Sequence, residues 1–255
     1  MKKLLLGTIG LVALALTGPA VAADFPAYSK APSPMMPALY DWSGLYIGVN
    51  AGGGWSHECW SLARNSANVL LTPPVPEGCH NATGGTVGGQ FGYRLQSDSW
   101  VFGVETQGNW SNFKGSNTNQ FFVGPPAITD KTQVDGFMTF TGQVGYAWNT
   151  VLGYVKGGGV VASDRFATYT LPGNVLVDRV GDTRWGGVVG AGLEYSFAPN
   201  WSAAVEYNHM FMGTKSVTAV TPTGVFNASD RIGQDMDVVT ARVNYRWGGP
   251  VVAKY

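Results

Sequence analysis

Few residues in this chain are equipped for chemistry, and they are scattered. His57, His80 and His209 are the only imidazoles, and Cys59 and Cys79 are the only thiols. No Gly-x-Ser-x-Gly or His-Glu-x-x-His pattern occurs, so neither a nucleophile elbow nor a hydrolytic zinc site is spelled out. His209 and Asp230 could be argued into an acid–base dyad, but no positioned serine accompanies them, and a hydrogen-bonded surface histidine is the simpler reading. Lys156 stands before Gly157-Gly158-Gly159, the reverse of the order in a phosphate loop. His57 and His80 flank the cysteines, yet the spacing fits no zinc pattern. The reading is therefore no enzyme, no metal and no cofactor. The cysteines themselves are expected to pair as a disulfide if the chain is exported, restraining one long loop.

Export is what the first residues spell. Lys2 and Lys3 precede the apolar run Leu4–Leu16, Pro19 breaks it, and small residues follow to a cleavage site near Ala22/Ala23. Residues 1–23 read as a secretory signal peptide, too short to span a bilayer as a helix. Residues 24–43 carry Pro26, Pro32, Pro34 and Pro37 and read as an extended periplasmic linker. No later run of apolar residues is long enough for a transmembrane helix.

The rest of the composition is unusual. Only 13% of 255 residues are charged, 13% are aromatic and 36 are glycine. The glycine share is about twice, and the charged share about half, that of an average soluble protein. The 16 basic and 16 acidic residues cancel, which argues against a nucleic-acid binder. Helical periodicity is weak. Alternation with period two recurs instead, in eight segments: Leu45–Trp55, Gly85–Gln96, Trp100–Ser111, Val134–Trp148, Val151–Ala162, Thr183–Phe197, Trp201–Met210 and Asp237–Trp247. Short joints at 97–99, 149–150 and 198–200 alternate with long connections at 56–84, 112–133, 163–182 and 211–236. That layout predicts an all-β fold, an eight-stranded antiparallel transmembrane β-barrel over 44–247, with tight periplasmic turns, long extracellular loops and a C-terminal tail at 248–255.

Two architectures use half-buried strands, and the residues on each face separate them. A soluble sandwich or lipocalin-like barrel would turn lysines and glutamates outward. Here the polar face holds Gln, Asn, Thr and Gly, and the apolar face carries Trp100, Trp110, Trp148, Trp185, Trp201, Tyr245 and Trp247 near strand ends. Amphipathic rings at that position suit a membrane interface. The inward phase then collects Arg94, Glu105, Lys156, Arg184, Glu194, Glu206, Arg242 and Arg246. Asp135 falls in the same phase by the alternation of its segment. The charges read either as a plug of paired side chains, favoured in an interior as narrow as eight strands allow, or as a selectivity lining for a small-solute pore.

Three stretches carry a family resemblance: Asp41-Trp42-Ser43-Gly44-Leu45-Tyr46-Ile47-Gly48 at the first strand, Ala198-Pro199-Asn200-Trp201-Ser202 with Glu206-Tyr207 at the seventh, and Val243-Asn244-Tyr245-Arg246-Trp247-Gly248-Gly249-Pro250 at the end. Together they resemble the small porin-family outer-membrane β-barrels of alphaproteobacteria, the group with the surface antigens of brucellae and rhizobia. The resemblance spans the mature chain and implies an OmpA-like eight-stranded barrel in the bacterial outer membrane with surface-exposed loops. It does not fix a transport activity, and the Cys59/Cys79 pair departs from it. A structural, surface-presenting role is the expectation. A small-solute porin is the alternative, and a surface haem receptor using His57, His80 or Tyr169 is a second. The partners expected are outer-membrane lipids, lipopolysaccharide and the barrel-assembly machinery; the sequence leaves the oligomeric state open.

Overall fold

A computed structural model describes residues 40–118, 127–173, 175–221 and 223–247. The signal peptide at 1–23, most of the linker at 24–43 and the tail at 248–255 lie outside the described residues. Eight strands follow in order: β1 (Gly44–Arg64), β2 (Leu70–Ser97), β3 (Trp100–Thr118), β4 (Ala127–Trp148), β5 (Val151–Leu171), β6 (Val175–Ala198), β7 (Trp201–Val220) and β8 (Phe226–Trp247). Each pairs antiparallel with the next, and β1 pairs with β8, closing the barrel. Closure satisfies the strand edges, as a bilayer requires of any backbone inside it.

The three short joints are where the alternation places them. Asp98 and Asn149 turn the chain with φ of 53° and 55°, a left-handed conformation that short polar side chains tolerate. The long connections are not where it places them. β2 runs for 28 residues, whereas crossing a bilayer takes about 10. Outside the membrane the strands simply continue, and what joins them shrinks to 65–69, 119–126, 172–174 and 221–225. The physical reason lies in the outer face. Above the bilayer it meets water instead of lipid, so Ser, Thr, Asn and Lys replace the outward apolar residues and the sequence takes on loop composition. The inner face keeps its alternation: Glu58, Trp60 and Leu62 on β1, Asp164 and Phe166 on β5, and Ile232, Gln234 and Met236 on β8 are all buried. Pro73, Pro74 and Pro76 fall where the β1–β2 register is irregular, with shifts between Trp60 and Ser61 and between Leu62 and Arg64, and bulges are where a sheet tolerates proline.

Register shifts alter the phase where alternation alone misleads. A shift between Val134 and Gly136 turns Asp135 to the outer face, where it pairs with the exposed Arg165. Asp135 is thus not an interior charge. A matching shift between Trp110 and Phe113 leaves the tryptophan outside and the phenylalanine fully buried inside. A bulge adds one residue, and one residue moves a side chain through the sheet.

Candidate functional site

The interior is built from two like triplets. Tyr46, Gly92 and Glu105 stand opposite one another on β1, β2 and β3. Tyr154, Gly192 and Glu206 do the same on β5, β6 and β7. Glycine is required at the centre of each, because a Cβ on Gly92 would lie 2.4 Å from the Tyr46 ring and one on Gly192 2.5 Å from the Tyr154 ring. With its ring laid across the glycine, each tyrosine donates its hydroxyl to the glutamate, Tyr46 Oη to Glu105 Oε2 at 2.7 Å and Tyr154 Oη to Glu206 Oε2 at 2.7 Å.

Two cations bridge the triplets. Lys156 Nζ donates to Glu206 Oε1 at 2.6 Å, Glu105 Oε1 at 3.1 Å and Gln107 Oε1 at 3.3 Å. Arg242 takes the remaining oxygens, donating from Nη1 to Glu206 Oε2 and from Nη2 to Glu105 Oε2. Two acids and two bases thus share one lattice with side chains at most 1% exposed. A second ion pair sits two residues further along β2 and β6, where Arg94 meets Glu194 at 2.8 Å. The positions two residues beyond the two triplet glycines thus carry opposite charges, and they meet across the narrow interior. The Arg94 guanidinium also faces the Tyr46 and Tyr154 rings at 4.5 and 5.4 Å, and Glu194 accepts from Ser202 Oγ and Asn244 Nδ2. On the other side of the lattice amides chain together, Asn109 to Asn50, Asn50 to Gln90 and Gln90 to Asn244.

Both ends of this polar core are stopped. At the turn end Trp42, 1% exposed, packs with Val101, Ala147, Leu152 and Tyr154. Its backbone N–H donates to Gln96 Oε1 and its ring N–H to the Asn149 carbonyl. Arg246 donates to the Asp41 carbonyl and faces the Tyr40 ring. Residues 40–43, read from their prolines upstream as the end of a linker, are therefore folded into the barrel mouth. On the outward side an apolar layer crosses the interior, including Phe113, Val134, Phe137, Val188, Met210 and Met236.

That layer separates Arg184 from the charges of the lattice and the mouth. Arg184 belongs to an extracellular group, 3.6 Å from both Asp164 and Asp182 and donating to the Ile232 carbonyl. Gln234 Nε2 reaches both Glu58 Oε1 and Asp164 Oδ1 there. Burial pushes the Asp164 carboxyl up to about 7, against the pull of Arg184. Alternation flagged the inward face of the seven lattice and mouth residues but not Glu58 or Asp164, which sit in stretches of loop-like composition.

The cysteines and histidines are dispersed. Cys59 and Cys79 face each other across β1 and β2 and are bonded; they clip two strands together and close no loop of irregular chain. With both sulfurs in the bridge, the cluster of His57, Cys59 and Cys79 offers no thiolate to a metal. His57 is on the outer face, whereas His80 points inward to Glu58 at 3.2 Å. Tyr169 lies under Lys131 on the β4–β5 pair, so the three residues considered for haem share no face. His209 is paired with Asp237 at 2.7 Å, not with Asp230, which is on the inner face further out.

A filled, closed antiparallel barrel with apolar outer walls is one of few structures fit for an outer membrane, and residues 11–248 match the outer membrane protein beta-barrel domain. The chain belongs to this family. The 31 kDa outer-membrane immunogenic protein of Brucella melitensis biotype 1 is 29% identical over 230 residues, 86% of this chain and 91% of that one. Its counterpart in Brucella suis biovar 1 gives the same figures. Among solved structures, the outer membrane protein OprG of Pseudomonas aeruginosa is 12% identical, covers 81% of this chain and 97% of its own, and superposes with a TM-score of 0.47.

As an outer-membrane barrel, the protein has its aromatics at two levels. Trp100, Tyr146 and Trp148 stack in series beside the tight turns, with ring centroids 5.5 and 5.1 Å apart. Trp201, Tyr245 and Trp247 repeat this at 5.1 and 5.3 Å. Trp110 and Trp185, 76% and 73% exposed, mark the outer level. Ten residues separate Trp100 from Trp110, about 33 Å along a strand and about 25 Å after the usual tilt, the height of a barrel's apolar band.

Proposed function

We propose that this outer-membrane barrel is a closed structural element of the envelope that presents its extended extracellular walls and conducts no solute. The observation that carries this reading is the Glu105–Lys156–Glu206–Arg242 lattice. It is neutral in sum and fully buried, and every charge in it has an opposite partner. An ion crossing it would have to break several charge-assisted bonds at once among side chains at most 1% exposed. The apolar layer on one side and Trp42 on the other support the same conclusion. The small-solute porin is the reading this disfavours. The interior hydroxyls that meet a base, Thr132 beside His80 at 3.2 Å and Ser56 and Ser202 on the Glu58 and Glu194 carboxylates, are all buried, and no enzymatic role is assigned. The outer walls would be in contact with outer-membrane lipid and lipopolysaccharide, and the strands would be inserted by the barrel-assembly machinery.

Single-channel recording on the refolded mature chain in a planar bilayer tests the proposal, with heat-modifiable gel mobility as the measure of folding. Folded protein without reproducible conductance is the expected result. Discrete, stable conductance steps from folded protein would overturn it and make the lattice a selectivity filter.

A further inference from the structure

The clip between β1 and β2 has a reactive surrounding of its own. Cys79 and His57 are exposed on the outer face, and Cys59 between them is half-buried. His57 Nε2 lies 3.5 Å from Cys59 Sγ. Its other nitrogen, Nδ1, is 2.7 Å from Asn81 Oδ1. An amide oxygen can only accept, so with Oδ1 at this position Nδ1 carries the proton and Nε2 turns its lone pair to the sulfur. Cys59, His57 and Asn81 thus stand as sulfur, base and orienting group, the relation that activates nucleophilic thiols.

The position suits a reaction with something in solution. Cys59 lies four residues beyond Trp55, about 13 Å along the strand and clear of the lipid. Its direct neighbour on β8 is Gly233, which sets no side chain opposite the sulfur. Cys79 is itself exposed on the same face.

We propose that Cys59–Cys79 is a surface disulfide poised for exchange with small-molecule thiols, with His57 as acid–base partner to Cys59 and Asn81 as the residue that positions His57. The thiolate of an external thiol attacks exposed Cys79 Sγ in line with the S–S bond. A new bond forms between the external sulfur and Cys79, and the Cys79–Cys59 bond breaks with its electron pair going to Cys59 Sγ. The imidazole, carrying the proton released by the external thiol, stabilises that thiolate. A second external thiolate attacks the external sulfur of the mixed disulfide and releases Cys79. In sum two external thiols become one external disulfide, and the bridge takes up two electrons and two protons. The reaction is stoichiometric, and is independent of whether the barrel conducts.

The test is the rate at which reduced glutathione converts the bridge in folded full-length protein, read by maleimide labelling of the thiols released. Wild type should be labelled faster than a model disulfide of the same exposure. His57→Ala should slow labelling about tenfold or more, the low end of what a positioned acid–base group contributes, and free imidazole should restore part of the rate in this variant only. Asn81→Ala should slow it as well, with Asn81→Asp, which keeps an acceptor at the same place, restoring it. Heat-modifiable mobility monitors folding in each variant. Equal rates in wild type and His57→Ala, or a His57→Ala rate that imidazole leaves unmoved, would overturn the proposal. So would a bridge that reacts only after the barrel is unfolded.

Discussion

Replacing Arg242 with methionine removes one of four charges from the buried lattice and leaves Lys156 alone between Glu105 and Glu206. The two glutamates lose one bond each, Tyr154 Oη loses the donor at 3.3 Å, and a net negative charge is left where no side chain of the lattice exceeds 1% exposure. Breaking a buried pair from one side costs about 3–5 kcal/mol, or roughly two to three and a half powers of ten in the folded-to-unfolded ratio. Removing the orphaned acid should recover most of this. Arg242→Met/Glu206→Gln leaves Lys156 and Glu105 as a neutral pair, and replacing a whole buried ion pair by apolar or neutral groups is often nearly neutral. The assay is urea unfolding in lipid vesicles, followed by tryptophan fluorescence and by heat-modifiable mobility, for wild type, both single variants and the double. The expected pattern is two strongly destabilised single variants and a double variant closer to wild type than either. A single Arg242→Met variant within about 0.5 kcal/mol of wild type, the scale of ordinary surface changes, would refute the claim that the lattice is a tightly coupled unit. Conductance gained with stability unchanged would refute the plug itself.

Other perturbations address the remaining layers. Trp42→Ala should cost about 3–5 kcal/mol, as for other buried aromatics, without opening a conductance path, because the lattice and the apolar layer still stand behind it; planar-bilayer recording and unfolding check both halves. Gly192→Ala places a Cβ 2.5 Å from the Tyr154 ring and should displace it, lowering stability by about 1–3 kcal/mol, whereas Gly181→Ala, where nothing lies within 4 Å, should be nearly silent in the same assay. For Asp164 the folded-state carboxyl holds its proton to higher pH than in the unfolded chain. The folded state therefore binds more protons in between, and protection of the extracellular walls from protease should increase as pH falls from about 7 towards about 4; Asp164→Asn should flatten that dependence. Replacing both cysteines by serine should cost about 2–4 kcal/mol and fray the tip of the β1–β2 pair under protease while conductance stays nil.

Much of the membrane-spanning half was legible in the sequence, for a physical reason. There the outer face meets hydrocarbon and the inner face a polar core, so alternation is strong and each residue declares its side. Arg94, Glu105, Lys156, Glu194, Glu206 and Arg242 could be assigned inward from phase alone, and the three tight turns from Asp98, Asn149 and Pro199-Asn200. The same logic fails above the bilayer, where water on the outer face erases the contrast. Strands carrying Glu58, Asp164 and Ile232 therefore read as loops, and Arg184 could not be separated from the charges below it.

Sequence by itself determined the class of structure: exported, β, alternating in eight segments, with aromatics at strand ends. These are consequences of local pattern, since strand phase and turn chemistry depend on near neighbours. Tertiary structure alone decided what the pattern is for. Which charges meet depends on closure, because β2 and β6 face each other only when β1 has paired with β8, and only then does Arg94 find Glu194. Bulges at Asp135 and beyond Trp110 set the side of the sheet that alternation could not. The burial of Trp42 in the mouth, and the place of His57 beside the Cys59–Cys79 bridge, likewise follow from residues far apart in the chain being brought to one end and one face of a closed barrel.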